Sequence, residues 1–137
     1  MQKNPLIGKL FRHALKLRGI DIPPQTLAPG KNLFLRHAGN VVVHTDARLG
    51  NNIMLHQGTT IGRADIWREP DESFMGFEIQ DFVILGANAV VVSKTGKLII
   101  GKGTVLGANS VLNQSTGHWE IWAGNPAKKI GNRKSEQ

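Results

Sequence analysis

The sequence predicts an all-β fold, a left-handed parallel β-helix. Three observations carry this: an aliphatic residue recurs every six positions, glycine often follows it, and a small or β-branched residue stands four places after it. The aliphatic positions are Val43, Leu49, Leu55 and Ile61, then Ile79, Leu85 and Val91, then Ile100, Leu106 and Leu112. Glycine follows at Gly50, Gly62, Gly86, Gly101 and Gly107, and Ala47, Ile53, Thr59, Val83, Ala89, Thr104 and Ser110 are the small or branched sites. Each hexad makes one short strand and one corner, so three hexads close a triangular turn of roughly 18 residues with the aliphatic side chains inside. Asn51, Asn52, Asn88 and Asn109 suit the corners because asparagine tolerates positive φ. A β-sandwich would alternate with period two and would not hold the six-residue phase.

The elements follow in chain order. Residues 1–19 form a basic amphipathic helix opened by Pro5 and closed by Gly19, with Leu6, Ile7, Leu10, Phe11, Ala14 and Leu15 on one face and Lys9, Arg12, His13 and Lys16 on the other. Its expected role is a cap packed on the first coil, and peripheral membrane contact is the other use such a pattern permits. Residues 20–114 form the coils. The eight-residue step from Leu35 to Val43 marks a bulged corner, and the nine-residue step from Val91 to Ile100 a short insertion at Ser93, Lys94 and Thr95. Residues 64–78 lose the phase and are expected to project as a loop, since Asp65, Arg68, Glu69, Asp71 and Glu72 are costly to bury in a coil wall. Residues 115–137 leave the repeat as a polar tail whose last few residues are expected to be disordered.

Composition bounds the function. A chain of 137 residues, 40% hydrophobic and 20% charged, has room for one domain, 1–137. It has no cysteine, which removes disulfides, thiolate metal sites and a cysteine nucleophile. Seventeen Lys and Arg against ten Asp and Glu give a formal charge of +7, which favours an anionic partner: a phosphorylated cofactor, a nucleic acid or a membrane surface. Nucleic acid is set aside, because the basic residues are spread along the chain without a reader motif. No apolar run reaches the ~18 residues of a membrane span and no signal-peptide pattern opens the chain, so a cytoplasmic protein is expected.

The bulged corner RHAGNVVVHTDARLGNN, the turn QGTTIG, the paired hexads ILGANAV and VLGANSV and the tail AGNPAKKIG resemble the hexapeptide-repeat acyltransferases. Within them the chain is most similar to the serine acetyltransferase group and its relatives in polysaccharide biosynthesis. The resemblance implies an acetyl-CoA-dependent O-acetyltransferase. No metal is expected, because no histidine pair has a ligand spacing, and a homotrimer with active sites between subunits is expected, because short coils leave flat apolar faces that three copies can bury. The resemblance places His37 as general base, a role neutral imidazole fits near pH 7, with Asp21 or a backbone carbonyl orienting the ring. It assigns Gly62, Ala87 and Ala108 to the acyl donor's arm and Lys128 and Lys129 to its phosphates, although the tail also serves if it only packs the last coil. Serine acetyltransferases carry Arg-His-Pro before the hexad at Ile79, where this chain has Met75, Gly76 and Phe77. The expected acceptor is therefore a sugar-type hydroxyl or amine, in a glycan or a small molecule, with Trp67, Arg68 and Phe77 as stacking and ionic contacts and His56 lining the same cleft. A tethering role for the loop aromatics is the alternative. Serine or an antibiotic is the alternative acceptor, and a purely structural coil the alternative to an enzyme.

Overall fold

The computed structural model describes residues 5–69 and 71–135. Residues 1–4 of the predicted helical segment, Pro70 of the predicted loop and residues 136–137 of the predicted disordered end lie outside the described residues. Helix α1 spans Pro5–Leu17 and a 3-10 turn spans Pro24–Thr26. The strands are β1 (Leu33–Arg36), β2 (Val42–Val43), β3 (Ala47–Leu49), β4 (Ile53–His56), β5 (Thr60–Arg63) and β6 (Phe74–Ile79). They continue as β7 (Ile84–Leu85), β8 (Val90–Ser93), β9 (Gly96–Ile100), β10 (Val105–Leu106), β11 (Val111–Leu112), β12 (Glu120–Gly124) and β13 (Ala127–Asn132).

Up to β11 every third strand joins the same sheet, which is what a three-sided coil requires. One wall stacks β1, β4, β7, β10 and β12, a second β2, β5, β8 and β11, and a third β3, β6 and β9, all in parallel register. The ten aliphatic hexad residues are all buried, and so are the seven small or branched ones, so both sequence positions point into one continuous core. Thr59, Thr104 and Ser110 are buried polar members of that set, and Thr59 and Thr104 satisfy their hydroxyls on the carbonyls of His56 and Gly117. Asn40, Asn52, Asn88 and Asn109 take positive φ at corners, whereas Asn51 does not.

Four expectations are corrected. The projecting segment is shorter than predicted, because Phe74–Ile79 is a strand paired with β3 and β9. Phe77 stands opposite Ala47 and Leu98, in the inward position two residues before the aliphatic, and is only 1% exposed. Small Ala47 leaves room for the ring, which the six-residue phase does not reveal. Gly76 lets the strand enter the wall: its φ is +87°, and a Cβ there would collide with the Asp46 carbonyl oxygen.

The second correction is at the far end, where β12 pairs in parallel with β10 and carries the wall to Gly124, past the expected limit at 114. Trp122 takes the inward place opposite Leu106. The chain then reverses at Asn125 and Pro126, and β13 returns antiparallel on β12.

The third concerns α1, which does not cap the coil with its apolar face. Leu15 is half-buried, while Leu10, Phe11, Ala14 and Leu17 are exposed.

Within the remaining loop, Asp65 is buried, against expectation, because Arg63 neutralises it. The guanidinium donates from Nε and NH2 to the two carboxylate oxygens at 3.0 and 2.8 Å, and lies 5.3 Å from the Phe74 ring centre. A paired carboxylate costs far less to bury than a lone one. Asp65→Asn removes the charge and one good acceptor, so it is expected to lower stability by about 1.5–3 kcal/mol. Urea denaturation measures this, and a change within about 0.5 kcal/mol would show the pair to be incidental.

Candidate active site

The corner between the first and second walls is built on a ladder of backbone hydrogen bonds. Gly58 N donates to the Gly39 carbonyl, Asn88 N to the Gln57 carbonyl and Asn109 N to the Ala87 carbonyl. Gly39, Gln57, Ala87 and Ala108 therefore occupy equivalent rungs, and at about 4.8 Å per coil the column is about 15 Å tall. Arg36 pairs with His56 on the rung before. Between that rung and the next, the upper coil holds the additional residues His37 and Ala38, which have no counterpart below.

This bulge thrusts His37 out of the wall. Its φ is +54°, in the left-handed region that few non-glycine residues adopt, and the residue is exposed. The corner thus sacrifices local backbone energy to place an imidazole at the head of the column. Ala87 and Ala108, two of the residues predicted for the acyl donor, lie on that same column, and Gly124 on the next coil continues it.

Asp21 is one coil above Val42 in the second wall, bridged to it, and exposed. No hydrogen bond joins its carboxylate to His37; it lines a cleft of about 220 Å³ with Arg12, Leu15, Lys16, Ile20 and Pro23. His56 points outward from β4 on the rung of Arg36, not that of Ala38. His44 packs edge-on to Phe74 and Phe77 at 5.2 and 5.9 Å, and its Nδ1 accepts from the Asp46 amide. Among the described residues no three His, Asp or Glu side chains are placed together as a metal site.

Gln57 was missed by sequence reasoning. It sits directly below the His37 bulge, and its side-chain oxygen is buried without a hydrogen-bond partner among the described residues, which is rare in folded proteins. The signal was present in the motif QGTTIG, whose glutamine occupies a corner position otherwise given to small residues at Ala87 and Ala108.

The other predicted residues are scattered. Gly62 pairs with Val92 at the opposite margin of the second wall, where a Cβ would meet only open space. Trp67, 76% exposed, borders a cleft of about 450 Å³ with Val92, Ser93, Lys94 and Asn113, and Arg68 is exposed beside it. Phe77 belongs to the core, with 1% of its surface exposed. Lys128 and Lys129 are neighbours on β13 and so face opposite ways. The Lys129 ammonium binds the Glu120 carboxylate at 2.9 Å, and that hydrogen bond, with others from Trp122 Nε1 and Gly117 N, holds the Glu120 carboxyl below its usual range. Among the described residues, Lys128 alone of the two is unengaged by a carboxylate.

A stacked three-sided hexapeptide coil with a histidine bulged from one corner defines the structural class. No protein-family model matches the chain. Serine acetyltransferase of Mycobacterium tuberculosis is 30% identical over 115 residues, covering 84% of this chain and 47% of that protein. Among solved structures, the soybean serine acetyltransferase apoenzyme is 29% identical with a TM-score of 0.70, covering 94% of this chain and 50% of its own. Serine acetyltransferase from Brucella abortus strain S19 in complex with coenzyme A is 28% identical with a TM-score of 0.67, covering 80% and 41%. The homologues of this chain are thus serine acetyltransferases of the hexapeptide-repeat acyltransferase family, whose coil is the left-handed β-helix. The chain spans about half the length of the curated relative described, or less.

Proposed function

We propose that this protein is an acetyl-CoA-dependent O-acetyltransferase acting on a small hydroxyl compound of the serine type. The observation that carries the reading is the His37 bulge at the head of a column whose lower rungs are Gln57, Ala87 and Ala108. A linear pantetheine arm can lie along such a column with its amides against the corner backbone, its thioester beside His37 and its phosphates towards Lys128. The imidazole takes the proton of the acceptor hydroxyl as that oxygen attacks the thioester carbonyl, and the thiolate of coenzyme A leaves. Backbone amides of the corner stabilise the developing oxyanion. Asp21, one coil above Val42 in the second wall, or a backbone carbonyl of the corner orients the ring.

The names of the relatives support serine over the glycan acceptor expected from the loop, which loses one aromatic platform because Phe77 is buried. Met75, Gly76 and Phe77 lie in β6, and of the three only Met75 is exposed. A homotrimer completes the cleft, with the outward Val42, Val90, Val92 and Val111 of the second wall as the apolar face between copies.

Thiol release from acetyl-CoA, measured with L-serine and with a panel of sugars at the light-scattering mass of three chains, tests the reading. Turnover with serine supports it; release with sugars alone would move the acceptor back to a saccharide, and none with any hydroxyl compound would remove the activity. Gln57 is assigned to receive an amide N–H of the pantetheine arm through its buried oxygen. Gln57→Leu is expected to raise the KM for acetyl-CoA about five- to tenfold, the worth of one hydrogen bond, with the acceptor KM unchanged. An unchanged KM for acetyl-CoA would leave Gln57 without that role.

A further inference from the structure

We propose that α1 docks the protein on a membrane surface carrying anionic headgroups, through the stripe formed by Leu10, Phe11, Ala14 and Leu17. The inference does not depend on acyl transfer. Leu10, Phe11 and Leu17 are 72%, 64% and 78% exposed, although residues three, four and seven apart on a helix share a face that normally seeks cover. The coil does not supply that cover, because the helix meets it through Arg12, Leu15 and Lys16, which line a cleft with Ile20, Asp21, Ile22, Pro23 and Pro24. The apolar stripe is left turned outward, free to lie on a flat surface while the coil stays attached behind it.

Charge selects the occupant. Lys9, Arg12, His13 and Lys16 cluster on the polar side, Arg18 follows the helix, and the α1 sequence PLIGKLFRHALKL has no acidic residue. A cationic polar face opposite a Leu and Phe face is the pattern of helices that rest in a lipid interface, where apolar burial and attraction to anionic lipids add. A second copy is the poorer occupant. One face of a 13-residue helix is about 20 Å long and 10 Å wide, far short of the roughly 1,200 Å² buried by a stable interface, and pairing two such helices would bring like charges together.

The experiment is flotation of the full chain with phosphatidylcholine vesicles, neutral or containing roughly one third phosphatidylglycerol. Binding is expected to the anionic vesicles, weaker in high salt because screening shortens the reach of the cations. Leu10→Ser with Phe11→Ser is expected to weaken it at least tenfold. Lys9→Gln with Lys16→Gln should weaken it by roughly fivefold per cation on anionic vesicles alone. Because the chain has no cysteine, Phe11→Cys gives a single labelling site, and an environment-sensitive dye there should shift to the blue on binding. Thermal melts check that the variants remain folded; if the serine pair unfolds, the lysine pair and the dye decide. Absence of flotation by the wild-type chain, or a dye that stays in water while the protein floats, overturns the proposal. A fall in light-scattering mass on Leu10→Ser with Phe11→Ser, without vesicle binding by the wild type, would assign the stripe to a second copy instead.

Discussion

His37→Asn is expected to lower turnover by about 10²-fold or more while the melting temperature does not fall. The first effect follows from loss of the general base, which typically contributes 10² to 10⁴. The second follows from the backbone: His37 has φ of +54°, and asparagine accepts that conformation more readily than histidine. Activity and stability should therefore move independently or in opposite directions, as expected where strain is held at a working site. Steady-state kinetics with a thiol-detecting reagent and a thermal melt at fixed concentration measure both. Near-wild-type turnover, with the chemical step shown to limit the rate, would remove His37 from the mechanism; a sharply lowered melting temperature would make the bulge a structural requirement.

Phe77→Ala is expected to destabilise the protein by about 3–5 kcal/mol, the usual cost of emptying a buried aromatic site. The ring fills the space between Ala47 and Leu98 and meets Phe74 edge-on at 5.6 Å. Trp67→Ala, by contrast, should leave stability within about 0.5 kcal/mol, because that ring is exposed. Urea denaturation of the two variants separates the aromatic residues of this region by role. A Phe77→Ala protein of ordinary stability with a raised acceptor KM would return Phe77 to the substrate site.

The coil was legible because the aliphatic hexad position has one environment: Leu85, buried between Leu55 and Leu106, must be large and apolar. The inward position two residues before it is less uniform, holding Ala89 and Ser110 but also Ile53, Phe77 and Leu98. Phe77 was hidden because the loop before it erases the phase that would have marked the inward position, and the space it needs is created by Ala47 on another coil. The site was legible where chain length betrays geometry: the extra residues between Leu35 and Val43 force a bulge, and His37 is in it. For Gln57 the motif QGTTIG shows a large polar residue at a corner otherwise held by Ala87 and Ala108, but the burial of its oxygen depends on coils distant in sequence. The pairing of Lys129 with Glu120 was obscured for a similar reason, as nothing in the tail signals an antiparallel return. For α1, periodicity reveals an apolar face but not its direction, and the structure turns it away from the coil.

The antiparallel return of β13 has a consequence for how the molecule ends. A parallel coil is open-ended by construction: its last turn offers the same row of amides and carbonyls that accepted the turn before, and an identical chain could stack there without limit. β13 occupies the exposed margin of β12 with a strand of the opposite direction, so the next rung in that wall is already taken. Its outer margin no longer repeats the coil's register, which blocks head-to-tail polymerisation through this wall. The few residues after the last coil therefore act as a chain terminator, setting the length of a structure whose repeat contains no instruction to stop.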